Sequence, residues 1–237
     1  MSVYFEYLST GQHVSVNGSN TYLAASLIKL PLIMQLYKDE ELGKIDTGKI
    51  VEVRPEALNK SYGDLWKKGA GHKLTLDETA ELTIVKSDNT AAQTVVLNIE
   101  DVYTKIDILL EQLHIKDEVI PMGGPVKTNA KAYATFMRCL YESCYLSKEH
   151  SQKILGYMTR TEVSALRKGV PSGVTVADKF GVFQVKEGGI TFDDCGIIYS
   201  PKGDYTLCIM GSGMNRDVRR EETEISKIVY GNVQNQW

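Results

Sequence analysis

Three short groups of residues are of types that do chemistry, at spacings that let their members act together. The first is Ser26-Leu-Ile-Lys29. Three residues apart on a helix, a hydroxyl and an amine project from one face. A serine near a helix start has free backbone N–H groups around it, which suit developing negative charge. A buried lysine that has lost its proton can serve such a serine as base. By composition alone S-x-x-K arises about once in a chain of this length. What marks this copy is its setting, a polar pair in an otherwise apolar helix. The second group, Ser87-Asp-Asn89, reads alone as a helix N-cap. The third, Lys179-Phe-Gly181, puts a lysine at a strand edge, where it commonly serves only solubility.

The elements that must position these groups follow from the apolar pattern. Val3 to Leu8 and His13 to Val16 read as strands around a turn at Thr10-Gly11. Ala24 to Tyr37 is apolar almost all round and so belongs inside the protein, and Pro31 falls in its early turns, where a missing N–H costs least. From about Arg54 to Pro171 the spacing is helical. Thr75-Leu-Asp-Glu78 opens one helix with a capping box, and further helices are expected over Asp88 to Leu97, Asp101 to Leu113, Asn129 to Tyr145 and Lys148 to Met158. Gly123-Gly-Pro125 marks a loop. Strands return at Phe180 to Lys186, Ile190 to Ser200 and Tyr205 to Gly211, with Pro201 to Asp204 as a hairpin turn. Val218 to Tyr230 reads as a closing helix with Val218, Ile225, Ile228 and Val229 toward the core.

The expected fold is therefore α/β of the α+β kind: an antiparallel sheet built from both termini, flanked by helices, with a helical insertion. Residues 1–50 with 176–237 would form the sheet subdomain and 51–175 the helical one, with a small-ligand cleft between them. A chain of 237 residues has room for this core without staples. Its net charge of −3 offers no electrostatic footprint for nucleic acid, and runs such as Leu30 to Met34 are too short to cross a bilayer. No signal peptide is visible; a strand starts at once, which fits a cytoplasmic protein or a chain trimmed of an export segment. Cys139 and Cys144 fall five apart on one expected helix, and Cys195 and Cys208 fall diagonally across a hairpin, so free thiols are expected. His13, His72, His114 and His150 are scattered, without zinc-ligand spacing.

S-x-x-K, S-D-N and K-T-G, in this order, are the motif set of class A β-lactamases and penicillin-binding proteins. This chain resembles that serine hydrolase superfamily in its class A-like branch over nearly its whole length. The surrounding text agrees: Ala24-Ala-Ser-Leu-Ile-Lys-Leu-Pro31, Lys86-Ser-Asp-Asn-Thr-Ala-Ala92 and Val176-Ala-Asp-Lys179. The resemblance implies a β-lactamase/DD-peptidase-like fold with Ser26 as acylated nucleophile and Lys29 as its base or proton shuttle. Ser87 would pass a proton to the leaving nitrogen, and Asn89 would hold Lys29 and the substrate's amide side chain. Lys179 would add positive field for a substrate carboxylate. Backbone N–H groups of Ser26 and Val182, next to Gly181, would form the oxyanion hole.

Two departures bear on turnover. The family's deacylating glutamate, in a Glu-x-x-Leu-Asn setting, has no counterpart between Leu113 and Thr128, and nothing aligns Glu118, which reads as an exposed charge, with that role. Phe180 stands where the motif has a hydroxyl, either reshaping the carboxylate side of the cleft or pointing away from it. Tyr62 and Trp66 would line the cleft mouth or serve ordinary packing. Three readings follow. One is a serine hydrolase acylated by β-lactams with slow deacylation. Another is a D-Ala-D-Ala carboxypeptidase-like penicillin-binding enzyme of the cell wall. The third is a retired, lactamase-like binding module, against which the retained Ser26, Lys29, Ser87 and Lys179 argue. No cofactor or metal is implied, the expected partner is a small β-lactam or cell-wall peptide, and a monomer working outside the cytoplasm is expected.

Overall fold

The computed structural model describes residues 1–119, 126–185, 189–214 and 217–235. In chain order the first elements are β1 (Ser2–Tyr7), β2 (His13–Val16), β3 (Tyr22–Leu23), α1 (Lys29–Glu41), β4 (Ile50–Glu52) and β5 (Lys73–Thr75). Then come α2 (Leu76–Val85), α3 (Asn89–Val96), α4 (Val102–Gln112), β6 (Lys127–Thr128), α5 (Ala130–Glu142) and α6 (Lys148–Met158). The chain closes with β7 (Thr175–Val185), β8 (Gly189–Tyr199), β9 (Tyr205–Met214) and α7 (Val218–Asn235). The loop expected at Gly123 to Pro125 and the strand end expected at Lys186 lie outside the described residues. None of the described helices is long and apolar enough to cross a membrane.

Two compact units result. One comprises Met1–Leu27, Leu113–Cys139 and Val163–Trp237, the other Ile28–Gln112 and Leu140–Glu162. These bounds differ from the expected 1–50 with 176–237 against 51–175, because 113–139 and 163–175 fall with the sheet and α1 with the helices. It packs on α2, α3, α4 and α6, and Leu30, Ile33, Met34, Leu36 and Tyr37 on all its sides are fully buried. Each such aliphatic side chain contributes about 1.5–3 kcal/mol. The Thr75 capping box is present, Thr75 Oγ1 accepting from the Glu78 N–H while Glu78 takes the Thr75 N–H.

In the first unit a five-stranded antiparallel sheet runs β2-β1-β9-β8-β7, so both termini do supply it. α7 covers one face through Val218, Glu222, Ser226 and Val233. Ile228, expected inward, is 62% exposed. The buried row follows strides of four and seven through polar Glu222 and Ser226, a path that apolar residues alone do not mark. Beneath it Leu166, Val170, Val176, Ile198, Tyr205, Leu207, Ile209 and Val233 form a core.

The cysteines correct the sequence expectation. No described cysteine is free. Cys195 lies directly opposite Cys208, and the two are joined. Strand pairing ends at Ile198 with Tyr205 rather than at a four-residue turn, which shifts the register by two and brings them face to face. Cys139 and Cys144 are disulfide-bonded as well. α5 stops at Glu142 and the chain reverses at Ser143, whose φ is 56°, so Cys144 is not on the helix.

Carboxyl groups pinned inside this unit hold β7 and β8. Asp194, fully buried, accepts from the Ala165 and Leu166 N–H groups at 2.6 and 3.0 Å and from Ser164 Oγ. Asp178, also fully buried, takes a bond of 2.6 Å from the Arg167 guanidinium. Asp194→Ala orphans three donors and should lower the free energy of unfolding by about 3 kcal/mol in urea denaturation. Asp194→Asn, which keeps an acceptor in place, should cost clearly less.

Candidate active site

In the helical unit, Lys29 is the first residue of α1 and only 5% exposed. Its Nζ donates to the Ser87 carbonyl and to Asn89 Oδ1, both at 2.5 Å, and to Ser87 Oγ at 3.2 Å. Burial pushes the amine down from its usual range to about 7, while the Asp88 carboxylate pulls the other way. An amine so placed exchanges its proton near neutrality.

The corner that presents Ser87 and Asn89 is built by local chemistry. α2 ends at Val85, and Ser87 adopts φ 52°, a left-handed conformation rare for a side-chain-bearing residue. Asp88 then caps α3, its Oδ1 accepting from the Ala91 N–H at 2.9 Å. The sequence reading of this triplet as an N-cap is therefore correct for Asp88, and the cap is what turns Ser87 and Asn89 to Lys29.

A strap over residues 59–65 runs along this corner, and sequence reasoning passed it by except for Tyr62. Leu65 N–H donates to Asp88 Oδ2 at 2.8 Å, Asn89 N–H to the Tyr62 carbonyl at 3.0 Å, and Asn59 N–H to Thr90 Oγ1 at 2.9 Å. Asn89 Nδ2 donates to Ser61 Oγ at 2.6 Å. The signal that could have found it is Gly63: its φ is 86°, and a Cβ there would sit 2.6 Å from Asp88 Cα. Trp66 donates to the Gly63 carbonyl and lies beside Lys60 and Lys67, a packing role.

In the sheet unit, Ser26 is half-buried within a short 3-10 turn, Ala25–Ile28, and not in the regular helix the sequence suggested. Ala25 is held at φ 42°. The turn is fixed by Tyr133, whose hydroxyl donates to the Leu27 carbonyl at 3.1 Å, and by the Ala24 N–H donating to the Val126 carbonyl at 2.8 Å. β7 passes against it. A Cβ on Gly181 would lie 2.9 Å from the Ala24 carbonyl oxygen and 3.2 Å from Leu27 Cγ, so only glycine lets the strand come this close to the serine's turn. Val182 follows, half-buried.

Lys179 on β7 is fully buried, its Nζ donating to the Phe180 carbonyl at 3.0 Å. Phe180 is 2% exposed and stacks on Phe192 with centroids 6.4 Å apart. Lys179 Nζ also lies over the Phe180 ring, 4.5 Å from its centroid, so the ring packs on that buried amine as well as on Phe192. Glu118, expected as an exposed charge, is half-buried and accepts from Asn129 Nδ2 at 2.8 Å. Among the described residues no cluster of three His, Cys, Asp or Glu side chains is placed to hold a metal ion.

A buried lysine just after a serine-bearing turn, a Ser-Asp-Asn corner and a lysine on the edge strand of an antiparallel sheet fit the serine β-lactamase and penicillin-binding class of fold. Residues 1–233 match the Beta-lactamase enzyme family, and the chain belongs to it. It is 26% identical over 240 residues to a β-lactamase of Bacillus licheniformis, covering 93% of this chain and 75% of that protein. With β-lactamase CARB-3 of Pseudomonas aeruginosa it shares 27% over 184 residues, 72% of this chain. The match spans 63% of CARB-3's length. A solved structure of PBP-A superposes with a TM-score of 0.87 at 25% identity, over 98% of this chain and 89% of that one.

Two substitutions test the close approaches that build the site. Gly181→Ala and Gly63→Ala each drive a Cβ into backbone. Each should lower stability by about 1–3 kcal/mol in urea denaturation. Gly173→Ala, where a Cβ meets nothing within 4 Å, should not.

Proposed function

We propose that this protein is a serine hydrolase acylated at Ser26 by β-lactams or related amides, and that it releases the acyl group slowly. The observation that carries the reading is Lys29: an amine that burial pushes down to about 7, held by the Ser87 carbonyl and Asn89 Oδ1, directly after the turn that bears Ser26. A neutral amine has two N–H bonds. With these on the Ser87 carbonyl and Asn89 Oδ1, the lone pair takes the Ser26 proton as Oγ attacks the amide carbon. Ser87 Oγ then passes a proton to the leaving nitrogen as the C–N bond breaks. Backbone N–H groups of Ser26 and Val182 receive the oxyanion, a function consistent with the close approach at Gly181. Lys179 contributes positive field for the substrate carboxylate, and Asn89 contacts the substrate's amide.

Slow release follows from the sequence, which carries no Glu-x-x-Leu-Asn to activate a deacylating water. That absence, with the likeness to PBP-A, favours a second reading in which D-alanyl cell-wall peptides are the substrate and β-lactams inhibit. Both readings place the protein's work outside the cytoplasm, where such substrates are.

The test is intact-protein mass over time with benzylpenicillin. The wild type should gain one acyl group that persists, and Ser26→Ala none. Lys29→Ala should slow acylation by on the order of a hundredfold or more. An adduct that clears within seconds would mean that another group activates water and would overturn slow release. Absence of any adduct would contradict the acylation reading and favour a retired module.

A further inference from the structure

The hydrogen bonds reaching Asn89 have a direction that can be traced to a backbone group. Ser61 N–H, which can only donate, bonds Asn59 Oδ1 at 3.0 Å. That fixes an acceptor at Asn59, and Ser61 Oγ donates to the same oxygen at 2.5 Å. Having spent its one proton there, the Ser61 hydroxyl can only accept from its other neighbour. Asn89 must therefore turn Nδ2 to it, at 2.6 Å, which leaves Oδ1 facing Lys29 Nζ at 2.5 Å. Asn59 is itself held on the corner through its N–H and carbonyl, both bonded to Thr90 Oγ1, a fully buried hydroxyl.

We propose that Ser61, set by Asn59, is a positioning residue that locks the Asn89 amide with its oxygen toward Lys29. The bland reading is that Ser61 merely satisfies an amide at the surface, since Ser61 and Asn59 are both exposed. Water would satisfy that amide equally, but water donates as readily as it accepts and so cannot choose between the two amide orientations. The Asn59–Ser61 pair can. With the amide reversed, an N–H would face Lys29. It would repel the protonated amine and, once the proton is lost, compete for the lone pair. The lock also engages one of the two Nδ2 hydrogens, so a bound substrate meets a single remaining donor on Asn89.

This inference rests on the proposed role of Lys29 as base, and the experiment separates the two. Ser61→Ala, Ser61→Thr and Asn59→Ala are compared with wild type in two readouts. The first follows the Lys29 ε-methylene and the Asn89 side-chain amide by NMR through a pH titration, with no substrate present. Ser61→Ala should move the Lys29 midpoint to lower pH, because a freed amide no longer offers its oxygen reliably to the ammonium form, and should shift the Asn89 amide signals. Ser61→Thr, which keeps the hydroxyl, should restore both, and Asn59→Ala should fall between. The second readout is the rate of acylation by benzylpenicillin against pH. Ser61→Ala should lower the plateau about three- to tenfold, the worth of one hydrogen bond, with its acid limb displaced as the titration is. If the NMR responses appear but no protein is acylated, the lock stands and the acylation reading fails. If Ser61→Ala leaves the Lys29 midpoint unmoved, or Ser61→Thr is as impaired as Ser61→Ala, the lock is wrong.

Discussion

Burial of one amine organises the helical unit. Lys29 at 5% exposure cannot keep a full positive charge cheaply, because water does not reach it freely. It is met instead by a carbonyl, an amide oxygen and a hydroxyl, neutral acceptors that tolerate either protonation state. Supplying them demands an unusual backbone: Ser87 in a left-handed conformation between two helices, with its carbonyl turned inward. Asp88 stabilises that corner twice, capping α3 with one oxygen and pinning Leu65 with the other. Its charge also moderates how far the lysine falls. The strained serine, the capping aspartate and the strap are thus consequences of one buried nitrogen.

The sheet unit solves a different problem, that of packing β7 closely on the turn that bears Ser26. Its means are steric. Gly181 removes the one side chain that would hold β7 off the Ala24 to Leu27 turn, while Tyr133 fixes that turn from behind. The buried carboxylates Asp178 and Asp194 tie β7 and β8 to the segment from Ser164 to Arg167, so the strand cannot retreat. Phe180, in the place of a hydroxyl, packs between Phe192 and the Lys179 amine and leaves the Gly181 approach intact.

Much of this was legible in the residues. Apolar periodicity located α1 through α7 to within a few positions, because each of those helices buries a face. The Thr75–Glu78 box and the Ser87 triplet are local chemistry, readable without tertiary knowledge. What escaped depends on partners distant in sequence. The ribbons β3–β6 and β4–β5 are two and three residues long, too short to show alternation. The strap from Asn59 to Leu65 is mostly polar, exposed at its start and buried only at Leu65, and acquires meaning only beside residues about thirty positions on. Ile228 on α7 and the Cys195–Cys208 register were misjudged for the same reason: burial and pairing there are set by the sheet, not by the local pattern.

Burial brings the Lys29 amine down into the neutral range. Its ε-methylene carbon can be followed by NMR from pH 5 to 11 in selectively labelled protein, in wild type and in Asp88→Asn. A midpoint near 7, falling further when the Asp88 charge is removed, is the result this account predicts. A midpoint at the ordinary lysine value of about 10.4 would contradict it.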